Sequence, residues 1–135
     1  MTLERLNKHF ELGRQLRRVQ ALKDTLELNV SPVPPRRDGM PRGTGVSDNV
    51  GNLAAELADL GAHIEFLETE VIKDEPEVLA FIESIDDAYI RTMFRLRFLK
   101  FLSWDDVAGI IGGNTRDSVS RICYRYIRKA EQDGL

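Results

Sequence analysis

Eight aliphatic residues, Val46, Val50, Leu53, Leu57, Leu60, Ile64, Leu67 and Val71, recur at spacings of 4, 3, 4, 3, 4, 3 and 4. Side chains return to one face of an α-helix every three to four residues, whereas a strand alternates every two. The run therefore specifies a helix with one long apolar seam. Placing Val50, Leu57, Ile64 and Val71 at heptad position a puts Leu53, Leu60 and Leu67 at d. Mostly β-branched residues at a with leucine at d favour a parallel two-stranded coil. These seven residues are the candidate oligomerisation seam, with a homodimer favoured. Three heptads are short for a free coil, and the small Ala54 and Gly61 at position e leave room for another helix alongside. A seam filled from within the same chain stays open as the alternative.

A second helix is available to fill that space. Residues 2–28 contain no proline and one glycine, and Leu12, Leu16, Val19, Leu22 and Leu26 form a stripe extended by Leu3, Leu6 and Phe10. Arg5, Arg14, Arg17, Arg18 and Lys23 make this helix basic. Residues 46–85 are its opposite, with one Lys against ten Asp and Glu. The spacing and the charge predict that the basic helix folds back on the acidic one as a hairpin, and two hairpins would make a four-helix bundle. Between them, residues 29–47 hold four of the five prolines and three glycines, and are expected to form a loop.

Asp74 and Pro76 have the pattern of a fresh helix start, an N-cap followed by proline in the first turn. Val78, Leu79, Phe81, Ile82 and Ile85 supply its apolar side. Asp86-Asp87 caps the next helix, expected to run to about Phe101 and to carry Tyr89, Ile90, Met93, Phe94, Leu96, Phe98 and Phe101. That is too many apolar residues for one thin stripe, so it is the expected core helix of the C-terminal half. Arg91, Arg95, Arg97 and Lys100 lie beside its remaining face.

Ser103 to Lys129 then reads as helix, glycine turn, helix. Ser103 with Asp106 is a capping-box-like start, Val107, Ala108 and Ile111 form the buried stripe, and Gly112-Gly113 ends the helix. Asn114 or Thr115 is the next N-cap. Val119, Ile122, Cys123, Tyr126, Ile127 and Ala130 fall on one face, which leaves a basic face opposite. Such a pair is the helix-turn-helix pattern. The candidate DNA-binding residues are Thr115, Arg116, Asp117, Ser120, Arg121, Tyr124, Arg125, Arg128 and Lys129. The first outward side chains would reach base edges, where arginine pairs with guanine, and the later ones would meet phosphates. The whole chain carries a net charge of −3, but residues 115–130 carry five Lys and Arg against one Asp. A local patch decides nucleic-acid binding, not the global balance.

Enzyme chemistry finds no support in the sequence. Gly109 and Gly112-Gly113 make neither a P-loop nor a dinucleotide fingerprint, and His9 and His63 lack ligand-spaced partners. No catalytic residue, cofactor or metal site is expected. No run approaches the roughly 20 apolar residues of a membrane span, and MTLERLNKHF lacks a signal-peptide core. A single cysteine, Cys123, falls on an apolar face and reads as a small buried hydrophobe. Together these features predict a protein of the reducing cytoplasm without membrane partners.

The run YIRTMFRLRFLKFLSWDDVAGIIGG, followed by TRDSVSRICYRYIRKA, resembles region 4 of bacterial sigma factors. It is closer still to small prophage-encoded regulators of the ArpU and RinA types, which carry a region-4-like C-terminal domain. The resemblance covers roughly residues 78–130. The turn GGNTRDS is one residue longer than the family's usual one. The resemblance implies promoter-proximal binding of double-stranded DNA, transcriptional control and contact with RNA polymerase. The expected fold is all-α: residues 1–73 as an oligomerising helical hairpin, then residues 74–135 as a helix-turn-helix domain. Two other readings stand beside this regulator. One is a DNA-packaging component resembling a phage small terminase subunit, and the other is a coiled-coil interaction protein that binds no DNA.

Overall fold

The computed structural model describes residues 1–30 and 45–134. Every regular element among these residues is an α-helix, with no strand among them. The helices are α1 (Leu3–Val30), α2 (Gly45–Glu83), α3 (Ala88–Phe98), α4 (Trp104–Ile111) and α5 (Arg116–Asp133). The loop expected over residues 29–47 lies mostly outside the described residues; of its ends, residues 29–30 belong to α1 and 45–47 to α2. No helix among the described residues is long and apolar enough to cross a membrane.

The chain divides into two compact units, one of Met1–Arg14 with Thr69–Leu135 and one of Gln15–Glu68. In the first, α3, α4 and α5 pack against one another, as the apolar excess of α3 requires. Phe94 is fully buried, and its ring meets those of Phe81, Phe98 and Tyr126 at 5.7, 5.5 and 5.8 Å. Offset and edge-on geometries of this kind add to the area that each ring buries. Val107, Val119, Cys123 and Ile127 close the core from α4 and α5. Burial pushes the Cys123 thiol up to about 12, so it packs as an apolar group.

The first turns of α1 belong to the same unit. Leu6, His9 and Phe10 are buried, the Arg5 side chain pairs with Glu77 and Asp74, and the Leu3 amide donates to Glu131 Oε1 at 2.7 Å. Gly13 allows the closest approach in the unit: a Cβ there would lie 2.2 Å from the Phe101 ring. The Arg14 Nη1 donates to the Phe101 carbonyl at 3.1 Å. His9 sits against the same ring at a centroid distance of 5.4 Å.

In the second unit a Cβ on Gly61 would lie 4.0 Å from Lys23 Cε, so α1 and α2 are neighbours at that level. Lys23 also pairs with Glu27, one turn on, at 2.9 Å. Of the heptad seam, Leu53, Leu57 and Leu60 are half-buried and Ile64 and Leu67 are buried. Val71, in the first unit, is buried as well. The side chain of Val50 lies outside the described residues. The lower half of the seam is thus covered without a second copy of the chain.

Two boundaries differ from the sequence reading. No helix begins at Asp74, because α2 continues through Pro76 to Glu83. Proline inside a helix costs about 3 kcal/mol, since it removes one hydrogen bond and crowds the preceding turn. Here Pro76 and Ile72, whose carbonyl loses its donor, are both exposed. Across the proline, Val71, Val78 and Ile85 continue the seven-residue spacing, and Val78, Ile82 and Ile85 are at most 1% exposed. Burying Val78 and Ile82 on the helix beyond the proline, at roughly 1.5–3 kcal/mol each, offsets the break. The second difference concerns α3, which ends at Phe98 rather than near Phe101. Leu99 caps it, and Phe101 turns to φ 59 as its ring is buried.

Candidate nucleic-acid interface

The surface of interest begins with the caps that fix α4 and α5. Ser103 accepts a hydrogen bond from the Asp106 amide at 3.1 Å, and Asp105 and Asp106 occupy the first turn of α4, where the helix dipole favours acids. Gly112 ends α4 at φ 77 and Gly113 follows at φ 71, a left-handed pair that side chains adopt only with strain. Thr115, not Asn114, is the N-cap of α5: its hydroxyl accepts from the Ser118 amide at 3.2 Å. Asn114 instead braces the turn, donating to the Gly112 carbonyl at 3.3 Å and accepting from the Ser118 hydroxyl at 3.2 Å.

With that start fixed, the helical period decides which α5 side chains face out. Val119, Cys123 and Ile127 are buried, and Ile122, Tyr126 and Ala130 are half-buried, as their spacing requires. Arg116, Asp117, Arg121, Arg125, Arg128 and Lys129 are exposed, while Ser120 and Tyr124 are half-buried. Seven of the nine candidate residues, from Asp117 to Lys129, line one open groove along α5, joined by Gln132. Arg116 stands apart, 3.7 Å from both Asp105 and Asp117, and lines an adjoining groove with Ser103, Trp104 and Arg97. Exposed pairs this long contribute little, so Arg116 can leave its acids for a phosphate at small cost.

The basic residues of α3 divide. Arg91 Nη1 donates to the Ile85 carbonyl at 2.7 Å, and Arg97 Nη1 to the Leu102 carbonyl at 3.2 Å, so both serve the fold. Arg95 and Lys100 are exposed. Arg97 and Trp104 are absent from the set drawn from helical periodicity alone, because their contribution is to the groove wall between helices. An arginine followed seven residues later by the chain's single tryptophan was the available signal. The candidate oligomerisation residues lie elsewhere: Leu53, Leu57, Leu60, Ile64 and Leu67 in the second unit, and Val71 in the first.

An open groove whose rim holds four freely exposed cations, with a serine, a tyrosine and a glutamine between them, suits a polyanion with hydrogen-bonding edges. It is neither deep nor apolar enough to enclose a small molecule. Comparison with protein-family models, with curated proteins and with solved structures gave no match to this chain.

Proposed function

We propose that the chain is a sequence-specific double-stranded DNA-binding transcription regulator of prophage type, acting near a promoter. In this reading α4, the glycine turn and α5 are a helix-turn-helix, and α5 enters the major groove. The observation that carries it is the row Arg121, Arg125, Arg128 and Lys129, exposed along one face of a helix capped at its start and buried on its other side. Asp117, Ser120 and Arg121 meet base edges, and Arg125, Arg128 and Lys129 meet phosphates. The sequence resemblance over residues 78–130 points the same way, and with it goes contact with RNA polymerase.

The helix pair α1 and α2 serves as a hairpin that brings two such domains together. One small domain with few contacts binds weakly, and pairing two on a two-part site raises avidity without new contacts. The half-covered Leu53, Leu57 and Leu60 are the seam residues with surface left for a second copy.

The test is binding of the full chain to DNA from its own operon over a range of salt. Arg121→Ala is expected to lower specific affinity by about 1–3 kcal/mol, the size of one bidentate arginine–guanine contact. Arg128→Ala is expected to weaken specific and non-specific duplexes alike and to flatten the salt dependence by about one phosphate. An Arg121→Ala protein with unchanged affinity and unchanged salt dependence means that α5 is not the reading helix.

A further inference from the structure

Tyr124 is the one aromatic side chain in the α5 row, and it is held from behind. Its ring meets the Trp104 ring edge-on at 5.7 Å and 85°. Trp104, the first residue of α4, lies under the Arg97 guanidinium at 4.4 Å, and the same guanidinium lies 3.5 Å from the centre of the Phe10 ring. Phe98 supports both ends, edge-on to Phe10 and to Trp104 at 6.4 Å each. An unbroken line of contacts therefore runs from α1 through α3 and α4 to the outer face of α5, all within one compact unit.

The chemistry of Arg97 explains why an arginine stands there. Its Nη1 makes one bond, to the Leu102 carbonyl, and its Nε is buried with no partner. A half-buried cation with one donor idle is held largely by the two ring faces. A guanidinium, planar and weakly hydrated, tolerates such a place far better than an ammonium. Its burial also makes it an unsuitable phosphate ligand, unlike the exposed arginines of α5.

We propose that Phe10, Arg97 and Trp104 are positioning residues, through which the N-terminal helix fixes Tyr124 and hence the DNA-facing surface of α5. The functional consequence rests on the DNA-binding reading; the stack itself does not.

Trp104 is the only tryptophan in the chain and reports on the stack directly. Full-length Arg97→Lys and Phe10→Leu are compared with the wild type, first without DNA. Far-UV circular dichroism is expected to stay the same, while the near-UV band of Trp104 weakens and its acrylamide quenching rises. With operon DNA, Arg97→Lys is expected to lower specific affinity on the order of tenfold, as couplings between touching residues do. The salt slope stays unchanged, since lysine keeps the charge and no phosphate contact is lost. In a Tyr124→Ala background, Arg97→Lys adds nothing further. Trp104→Phe, which retains a ring between Arg97 and Tyr124, keeps the affinity that Trp104→Leu loses. A Trp104 signal indifferent to both variants overturns the proposal, as does an Arg97→Lys loss that adds in full to Tyr124→Ala. An Arg97→Gln protein whose salt slope falls by one phosphate overturns it too, by making Arg97 a direct contact. Failure of the DNA-binding reading shows separately, as wild-type protein that binds no duplex while the Trp104 signal still answers to Phe10.

Discussion

Nine of the ten aromatic residues of the chain belong to the unit formed by Met1–Arg14 and Thr69–Leu135, and the unit Gln15–Glu68 has only Phe66, which is exposed. The first unit is fixed by particular rings meeting at particular angles, by three capped helix starts and by a glycine pressed against a phenylalanine. The second is held by a periodic aliphatic stripe, half-covered over most of its length. A stripe asks only for apolar residues at the right spacing, whereas interlocked rings ask for particular shapes. The contrast fits their proposed roles, a rigid surface for reading DNA and a seam for joining chains.

Core truncation should separate the two most strongly. Phe94→Ala, in the centre of the ring cluster, is expected to cost about 3–5 kcal/mol. Leu57→Ala, half-buried on the stripe, is expected to cost roughly 1–2 kcal/mol, because much of that side chain already meets water. Urea midpoints at equal slope measure both. A Leu57→Ala loss as large as that of Phe94→Ala breaks the contrast, and means that a second copy covers Leu57 in solution.

Two glycines sharpen the comparison at smaller scale. A Cβ on Gly13 would stand 2.2 Å from the Phe101 ring, and one on Gly61 would meet Lys23 at an ordinary 4.0 Å. Gly13→Ala must push α1 and the Phe101 segment apart, at a cost of about 1–3 kcal/mol. Gly61→Ala, mid-helix and unobstructed, is expected to stabilise by roughly 0.5–1 kcal/mol through helix propensity. Thermal unfolding of both variants gives the signs. Gly13→Ala folding as well as the wild type would mean that α1 does not approach Phe101 this closely.

Much of this was legible in the sequence where a local rule acts alone. Ser103, Asp87 and the glycine turn sit at helix ends because their own chemistry places them there, and the buried face of α5 follows from its period. Local rules failed where packing overrode them. Asp74 and Pro76 carry every mark of a helix start, yet the buried Val78 and Ile82 hold α2 through the proline. Arg97 looks like a free cation on a helix and is instead stacked on Phe10, 87 positions earlier in the sequence. No spacing rule reaches that far. The seven exposed and half-exposed residues of the α5 groove were readable, and the wall behind them was not.

The two histidines carry the comparison into pH. His63, in the second unit, is exposed, and His9, in the first, is fully buried. Neither ring nitrogen of His9 has a hydrogen-bond partner. Burial lowers its pKa below the ordinary 6.5, only partly offset by the Asp74 and Glu75 carboxylates and by the nearby Phe98 backbone. The folded state therefore holds fewer protons at this site than the unfolded chain does. The contribution of neutral His9 is complete above pH 6.5 and is lost progressively as the pH falls below it, towards the folded-state pKa. One proton limits the slope to about 1.4 kcal/mol per pH unit. His9→Phe, which keeps a ring against Phe101 and removes the titration, is expected to flatten stability between pH 7 and about pH 5. His63→Phe is the control. A pH dependence of the same size in His9→Phe would mean that the buried ring is not what makes the first unit sensitive to acid.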